Sequence, residues 1–327
     1  MLYVLRLTVT SLLAFLRSLP SVAAHVLDIF CVDALDAAAE ASVPAFLYYA
    51  SSSTYAAMFL RIPQYLATTE REFKDMGKDE LIRFPGGPPV PASDMARSVL
   101  VHGTWAFALR TGHHARSPEA KGLLINTYEW LEARAVGALR DGACVHGRPT
   151  PPVYCIGPLT LEGEAKGEWH ACLSWLDAQP DRSVVFLCFG SLGAVSAAQL
   201  KEITHGLENS DLDALLPEGF LERTRKRGLV LKMWAPQWNS VLEAASTATP
   251  MLCWPLAGEQ RLNKLFVVSE MKAGFVMEGY NNELVKAGEV EKKVRLVMEE
   301  SGEVGKLRDR VVLAKEKAVE AQAGNGS

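Results

Sequence analysis

Short, uninterrupted apolar runs alternate with amphipathic stretches along most of the chain. The runs lie at residues 25–32, 44–49, 122–126, 183–189, 228–233 and 251–254. The stretches between them include residues 34–41, 128–138 and 196–207, which have the spacing of helices. A strand that is apolar along its whole length is buried on both faces, which is typical of parallel sheets covered by helices. The pattern therefore predicts an α/β protein.

Length and local composition predict two domains. A chain of 327 residues is long enough for two ordinary cores. Glycine and proline are dense at residues 142–152, and a polar stretch follows at 162–168. We therefore predict an N-terminal domain over residues 1–158, a linker over 159–170 and a C-terminal domain over 171–327.

Charge and cysteine usage exclude several classes of protein. The net charge is −4 without a clustered basic face, so nucleic-acid binding is not expected. None of the six cysteines forms a C-x-x-C pair, and a chain of this size needs no disulfide framework. These features favour a reduced, cytoplasmic protein without a structural zinc site.

The N-terminus leaves two interpretations open. Arg6 followed by the apolar residues 7–16 is compatible with a secretory signal. Alternatively, the segment is a buried helix with one apolar face, formed by Leu5, Val9, Leu12, Leu13 and Leu16. Arg17 ends the apolar run before it reaches the length that spans a bilayer, so no stable membrane insertion is expected.

Several polar residues are candidates for chemistry or for structure. Asp28 interrupts the apolar run 25–32, so its carboxylate needs a partner, and a catalytic histidine is one candidate. Helix capping is the favoured interpretation of Asp33 and Asp36. We expect His113 and His114, which follow Arg-Thr-Gly, to lie on the surface. The segment 84–93, rich in proline and glycine, is predicted to be a surface loop.

A glycine-rich turn, Gly190-Ser191-Leu192-Gly193, joins the run 183–189 to the helical stretch 196–207. Such a turn can present backbone N–H groups to a phosphate, or it can serve only the geometry of a tight turn. It is not a Walker loop, since no Gly-Lys-Ser/Thr follows. It is not a nucleophile elbow either, because Phe189 stands where that motif needs glycine.

The most specific motif is Trp234-Ala235-Pro236-Gln237-Trp238-Asn239-Ser240-x-x-Glu243, followed by Cys253-Trp254-Pro255-Leu256-x-x-Glu259-Gln260. It resembles the signature box of plant UDP-dependent glycosyltransferases, which glycosylate small secondary metabolites such as flavonoids. Further segments resemble the same family in order along the chain: VLDIFCVDALDAA, VPAFLYYASS, FPGGPPVPASDM, GLLINTYEWLE, YCIGP, CLSWLDAQPDRSVVFLCFGSLGAVSAAQLKEI and LPEGFLERT.

The resemblance implies a GT-B fold, in which two Rossmann-like domains face a cleft. The N-terminal half would bind a small hydrophobic acceptor and the C-terminal half the UDP-sugar donor, with no cofactor and as a monomer. The implied donor-binding residues are Ser191, Trp234, Ala235, Gln237, Trp238, Asn239, Ser240, Glu243, Glu259 and Gln260.

The resemblance also implies a role for each part of this set. Trp234 would stack on uracil, with the backbone of Ala235 and Gln237 near the base and ribose. Glu243 would hold the ribose hydroxyls. Asn239, Ser240 and Ser191 would bind the phosphates, while Glu259 and Gln260 would bind the sugar, with glucose as the default. An aromatic face, a carboxylate and amide donors suit a base, a diol and a diphosphate.

The family's reaction is an inverting displacement at the anomeric carbon. A histidine deprotonates the acceptor hydroxyl, an aspartate orients and charges that histidine, and no metal is required. Asp28 matches the aspartate. None of the seven histidines stands in a glycine-rich turn after a first strand, where the family has its base, so we expect the base histidine to be absent.

The sequence also departs from the family by apparent deletions. The box spans 27 residues from Trp234 to Gln260 and is shorter than the family's, with the gap between Gln237 and Trp238. Another gap falls near Ser210-Asp211, and the first strand region of the N-terminal domain, with the glycine-rich turn that follows it in the family, is expected to be missing as well. Both domains are therefore predicted to be incomplete, and two hypotheses stay open: an active transferase, or a non-catalytic relative that binds small molecules or has no function.

Overall fold

The computed structural model describes residues 8–69, 71–160, 171–180, 183–189, 195–208, 237–256, 259–298 and 302–325. The chain divides into two compact units. Unit 1 consists of Met1–Leu159, Arg261–Phe266 and Glu316–Ser327, and unit 2 of Thr160–Gln260 and Val267–Lys315.

Strands and helices alternate in the described ranges, as the apolar pattern predicts. The strands are β1 (His25–Asp28), β2 (Ala45–Tyr49), β3 (Leu81–Ile82), β4 (Val90–Pro91), β5 (Gly122–Ile125), β6 (Val153–Cys155), β7 (Met251–Cys253) and β8 (Gly274–Val276). The α-helices are α1 (Val9–Ser18), α2 (Leu35–Glu40), α3 (Ser53–Ala67), α4 (Trp105–Arg116), α5 (Ala133–Arg140), α6 (Ala171–Asp177), α7 (Ala197–Glu208), α8 (Gln237–Ser246), α9 (Gln260–Leu265), α10 (Ala287–Met298) and α11 (Glu303–Glu320).

The main sheet of unit 1 has the strand order β1-β2-β5-β6, and all its pairings are parallel. Leu47 on β2 and Leu123 and Ile125 on β5 are fully buried in a cluster that also takes in residues of α2, α3 and α5. Apolar strands at the centre of such a sheet are covered on both faces. The α/β class predicted from the sequence is confirmed.

Helix α3 lies between two apolar clusters of unit 1. Ala56, Ala57 and Leu60 pack in the cluster of the main sheet, while Met58 and Phe59 pack in a second cluster. The helix begins after Ser52, whose hydroxyl accepts a hydrogen bond of 3.0 Å from the amide of Tyr55. A helix with apolar residues on both sides is buried all round.

The segment 84–93 is not the surface loop that its composition predicted. Phe84 and Val90 are buried in the second cluster of unit 1. Gly86 has φ of +75°, and a Cβ atom there would lie 2.7 Å from the Cα of Ala135 on α5. The glycines and prolines therefore permit a close approach to the neighbouring helix, and composition alone cannot distinguish this from exposure.

Unit 2 contains the parallel pair β7-β8 and a cluster that joins α7 to α10. Residues 183–189, predicted as a buried strand, form no strand in the described structure, and Phe186 is 78% exposed. A parallel strand needs a hydrogen-bonded neighbour, and none of the described strands pairs with this segment. The predicted strand at 228–233 lies outside the described residues.

The N-terminal segment forms helix α1, in agreement with the second of the two interpretations. Leu16 is buried, and Leu12 packs against the cluster of the main sheet. Leu5 and Arg6 precede the first described residue. Within the described ranges, no helix is both long and apolar enough to cross a bilayer.

Candidate functional site

Two of the predicted donor-binding residues meet at the end of the segment 183–189. The hydroxyl of Ser240 lies 3.7 Å from the sulfur of Cys188. The side-chain amide of Gln260 donates a hydrogen bond of 2.8 Å to the carbonyl oxygen of Phe189. Ser240 and Gln260 thus contact the two residues that directly precede, in the sequence, the turn containing Ser191.

Helix α8 carries five of the predicted residues in its first two turns, and the side chains of four of them are described. Trp238 is 1% exposed, so its side chain packs in the core of unit 2, and its part in donor binding stays a prediction. Asn239 and Ser240 are half-buried beside it, and Glu243 is exposed one turn later. Partial burial raises the pKa of the Glu243 carboxyl above its usual range. The first turn of an α-helix directs N–H groups and the positive end of its dipole outward, which suits a diphosphate.

Strand β7 and helix α9 position the acidic and amide pair Glu259 and Gln260. The ring of Phe189 meets the ring of Trp254, directly after β7, edge to face with centroids 5.8 Å apart. The side-chain oxygen of Gln260 accepts a hydrogen bond of 2.7 Å from the amide of Leu256. Glu259 stands immediately before α9 and is half-buried. The side chain of Gln260 and the ring contact of Phe189 with Trp254 thus join the segment after β7 to the end of 183–189.

The remaining donor candidates fall outside the described structure. Ser191, Trp234 and Ala235 lie in undescribed ranges, and of Gln237 only the backbone, at the start of α8, is described. Their roles remain predictions.

Asp28 is the last residue of β1, at the carboxyl end of the parallel sheet of unit 1. Its carboxylate accepts a hydrogen bond of 2.8 Å from the amide of Phe30, so it caps the 3₁₀ helix Ile29–Ala34 and ends the strand there. Asp28 also lines a cavity of about 260 Å³ together with Phe30, Cys31 and Asp33. The carboxyl ends of parallel strands are where open α/β sheets bind ligands.

The capping role expected for Asp33 and Asp36 is wrong. Helix α2 begins after Ala34 without a side-chain cap. Both carboxylates instead face the guanidinium of Arg116, at 3.5 Å for Asp33 and 2.5 Å for Asp36. Because Arg116 lies 80 residues after Asp36, the sequence around Asp36 does not indicate this ion pair.

His113 and His114 are buried rather than exposed, which corrects the prediction. They lie on helix α4, and His114 has no exposed surface. The hydroxyl of Tyr49 lies 3.3 Å from Nδ1 of His114 and 2.8 Å from the hydroxyl of Ser117. Burial, and then the positive charge of Arg110, hold the pKa of His114 well below its usual range, so the imidazole is neutral.

Two further polar residues that the sequence did not single out are buried in unit 1. Glu132 accepts hydrogen bonds from the amides of Ser53 and Thr54 at the start of α3. Asp94 has no exposed surface and binds Lys264. The only sequence signal for either is an acidic residue inside an otherwise apolar segment.

The cysteines and metal-ligating side chains add no further site. The five cysteines whose side chains are described are free thiols. The described residues contain no group of His, Cys, Asp or Glu arranged to hold a metal ion.

The comparisons with known proteins agree with the motifs. No family model matches the chain. It is 36% identical to an anthocyanidin 5,3-O-glucosyltransferase of a Rosa hybrid cultivar, over 98% of this chain and 76% of that protein. It is 38% identical to a phloretin 2'-O-glucosyltransferase of Malus domestica, over 94% of this chain and 74% of the relative. The first alignment has 365 positions, more than the 327 residues of the chain, and therefore includes positions at which this chain has no residue.

Solved structures show the same likeness. A UDP-glucosyltransferase from Polygonum tinctorium, solved with 3,4-dichloroaniline, has a TM-score of 0.87 at 30% identity, covering 98% of this chain and 78% of the other. UGT2 of Phytolacca americana, complexed with UDP-2-fluoro-glucose and pterostilbene, has a TM-score of 0.85 at 29% identity, covering 97% and 76%. The chain therefore belongs to the plant UDP-dependent glycosyltransferases, transferases of the GT-B fold that take a UDP-sugar as donor, and it carries internal deletions relative to them.

Proposed function

We propose that this chain transfers a sugar, by default glucose, from a UDP-sugar to a hydroxyl of a small phenolic acceptor with inversion. The observation that carries the proposal is the convergence of Ser240 and Gln260 on the end of the segment 183–189, at 3.7 Å from Cys188 and 2.8 Å from Phe189. Relatives named for anthocyanidin and phloretin glucosylation support a flavonoid-like acceptor.

In this proposal residues 171–327 bind the donor. Ser191, Ser240 and the first turn of α8 would bind the diphosphate, Glu243 the ribose, and Glu259 and Gln260 the sugar hydroxyls. Trp234, Ala235 and Gln237 would hold the uridine, and Trp238 and Asn239 would contribute from the start of the helix. Carboxylate and amide side chains match the hydroxyls and phosphates of such a donor.

Residues 1–158 would bind the acceptor, with Asp28 as the acid that orients and charges a base. We further propose a monomeric, cytoplasmic protein that requires no cofactor. Asp28 supports the assignment by its position, because it stands at the carboxyl end of β1 and borders a cavity of about 260 Å³.

A second candidate, a non-catalytic binding protein, is favoured by the hydrogen bonding of Asp28. Within the described residues, its carboxylate bonds to the amide of Phe30 and to no imidazole. His25 stands three residues earlier on the same strand and lines the same cavity, yet among the described contacts no hydrogen bond joins its imidazole to Asp28. Without a base, the acceptor hydroxyl would keep its proton.

Turnover and binding assays distinguish these candidates. The purified chain is incubated with UDP-glucose and phloretin, and UDP release and glucoside formation are measured together with the affinity for UDP. Glu243→Gln is expected to weaken UDP binding about tenfold by loss of a charged hydrogen bond to the ribose. Glu303→Gln, which changes an exposed glutamate at the start of α11, is the matched control.

Each result has one meaning. Glucoside formation establishes the transferase. UDP binding without turnover establishes the non-catalytic candidate, and absence of UDP binding rejects the proposed donor site.

A further inference from the structure

Gln199 joins helix α7 to the segment that leads into helix α10, inside unit 2. It stands in the first turn of α7 and is 7% exposed. Its side-chain amide donates a hydrogen bond of 2.9 Å to the carbonyl oxygen of Val285, and its side-chain oxygen accepts one of 2.8 Å from the amide of Val285. One side chain thus supplies partners for both backbone groups of Val285, which is buried and lies outside the described strands.

Two further residues of α7 contact the start of α10. Glu202 accepts a hydrogen bond of 2.8 Å from the amide of Ala287, the first residue of α10. A Cβ atom at Gly206 would lie 2.6 Å from the carbonyl oxygen of Ala287, so the two helices approach closely there. Residues 199, 202 and 206 have the spacing of a single helix face. Together these contacts fix the rotation of α7 against α10 within unit 2.

Gln199 is also bonded to the residue that precedes α7. Its backbone amide donates a hydrogen bond of 3.1 Å to the hydroxyl of Ser196, and the amide of Leu200 donates one of 2.8 Å to the carbonyl oxygen of Ser196. The glycine-rich turn 190–193 ends three residues before Ser196 in the sequence. Three residues span at most about 11 Å, so the place of Ser196 limits where the turn can lie.

We propose that Gln199 is a positioning residue for the diphosphate-binding turn, and that it acts by holding the start of α7 against Val285. The inference deepens the proposed function, since it rests on the assignment of Ser191 to the diphosphate. Gln199 itself would not touch the donor. By holding the start of the helix in one place, it would reduce the conformational entropy that the turn loses when the phosphates bind.

Amide hydrogen exchange tests the anchoring of α7 without any ligand. The amide of Leu200 reports on the first turn of α7, and the amide of Leu256, bonded to the side chain of Gln260 at 2.7 Å, is the reference within unit 2. In Gln199→Leu, we expect exchange at Leu200 to rise about tenfold relative to Leu256, because local opening is governed by local contacts.

Gln179→Leu is the matched control. Gln179 is half-buried and donates a hydrogen bond of 2.9 Å to the carbonyl oxygen of Trp175, near the end of α6. Its replacement should change neither amide. In Gln199→Leu, equal acceleration at Leu200 and Leu256, or no change at either, overturns the inference. If Gln199→Leu does not fold, Gln199→Glu carries the same expectation, since it keeps the acceptor for the amide of Val285 and loses the donor to its carbonyl oxygen.

Ligand binding provides the second readout. We expect Gln199→Leu to reduce the affinity for UDP about tenfold while the affinity for uridine stays the same, because only the phosphates meet the turn. Gln179→Leu should leave both affinities unchanged. An equal loss for UDP and uridine, or no loss, overturns the inference. If the unchanged chain does not bind UDP, the proposed function fails, and the exchange at Leu200 still decides whether Gln199 holds the start of α7.

Discussion

The amide nitrogen of Gln260 lies 2.8 Å from the carbonyl oxygen of Phe189, 71 residues earlier in the sequence. The oxygen of the same side chain accepts from the backbone of Leu256, so one amide joins two segments of unit 2. Backbone N–H and C=O groups in irregular segments lack the partners that a sheet would supply. A glutamine side chain can satisfy both groups, because it carries an N–H donor and an oxygen acceptor.

Gln260→Glu is expected to destabilise the fold. The substitution replaces the donor that faces Phe189 by an oxygen and leaves that carbonyl opposite a negative charge. We expect the free energy of unfolding to fall by about 1–3 kcal/mol in urea titrations. Gln322→Glu, which alters an exposed glutamine near Pro158, should change it by less than about 0.5 kcal/mol. Equal stability of Gln260→Glu and the unchanged chain would contradict the role assigned to this amide.

Glu132→Ala is expected to destabilise unit 1 more strongly. The buried carboxylate accepts from the amides of Ser53 and Thr54 at 2.7 and 2.9 Å, and from the hydroxyl of Thr54. Burial raises the pKa of Glu132, while these donors act in the opposite direction. Removing the carboxylate leaves buried donors without an acceptor, at a cost of about 1–3 kcal/mol for each.

Glu129→Ala is the matched control. Glu129 pairs with Arg140 at 2.8 Å, and both side chains are partly exposed. Such pairs contribute about 1 kcal/mol or less. Thermal and urea unfolding should therefore show Glu132→Ala to be much less stable than Glu129→Ala, and the reverse order would refute the role of Glu132 as acceptor for the amides of Ser53 and Thr54.

The fold of unit 1 was largely predictable, because its signals are local. The runs at residues 44–49 and 122–126 became β2 and β5 within one residue at each end, and β7 likewise follows the run at 251–254. The run at 25–32 was shortened to β1 because the carboxylate of Asp28 caps the 3₁₀ helix that follows. A side chain that accepts a hydrogen bond from the backbone amide two residues later competes with strand formation. A hydropathy pattern does not reveal such a bond.

The buried polar residues were not predictable from hydropathy. Four polar residues have the spacing of a single helix face: Arg110, His113, His114 and Ser117. A polar helix face is predicted from its pattern to lie in solvent. In the structure, the guanidinium of Arg110 instead covers the rings of Phe30 and Phe59 at 5.0 and 5.5 Å. Likewise, Asp94 and Lys264 are 170 residues apart, so only the three-dimensional structure could pair them.

Phe186→Ser is expected to improve solubility at little cost in stability. Phe186 is 78% exposed within the uncharged run 183–189, and exposed apolar segments of high β-propensity favour association. We expect less light scattering on concentration and a free energy of unfolding within about 0.5 kcal/mol of the unchanged chain.

Val185→Ser, one residue earlier, is the matched control. Val185 packs against the cluster of unit 2, so its replacement should lower stability by about 1–2 kcal/mol without relieving association. If Phe186→Ser were the more destabilising of the two, the ring would have to pack in the core, contrary to its exposure.

His114→Phe is expected to flatten the dependence of stability on pH. Burial keeps the pKa of His114 well below 6.5 in the folded state, so the unfolded chain binds a proton there first as the pH falls. Stability of the unchanged chain therefore decreases below about pH 6.5, with a slope from this one group of up to about 1.4 kcal/mol per pH unit. Phenylalanine removes that proton uptake and fits among Tyr55 and Phe59, and the hydroxyl of Tyr49 keeps Ser117 as its partner.

Urea unfolding at pH 7.5, 6.5 and 5.5 measures the slope, with His146→Gln as the exposed-histidine control. The same slope in His114→Phe and in the unchanged chain would show that the proton is taken up elsewhere.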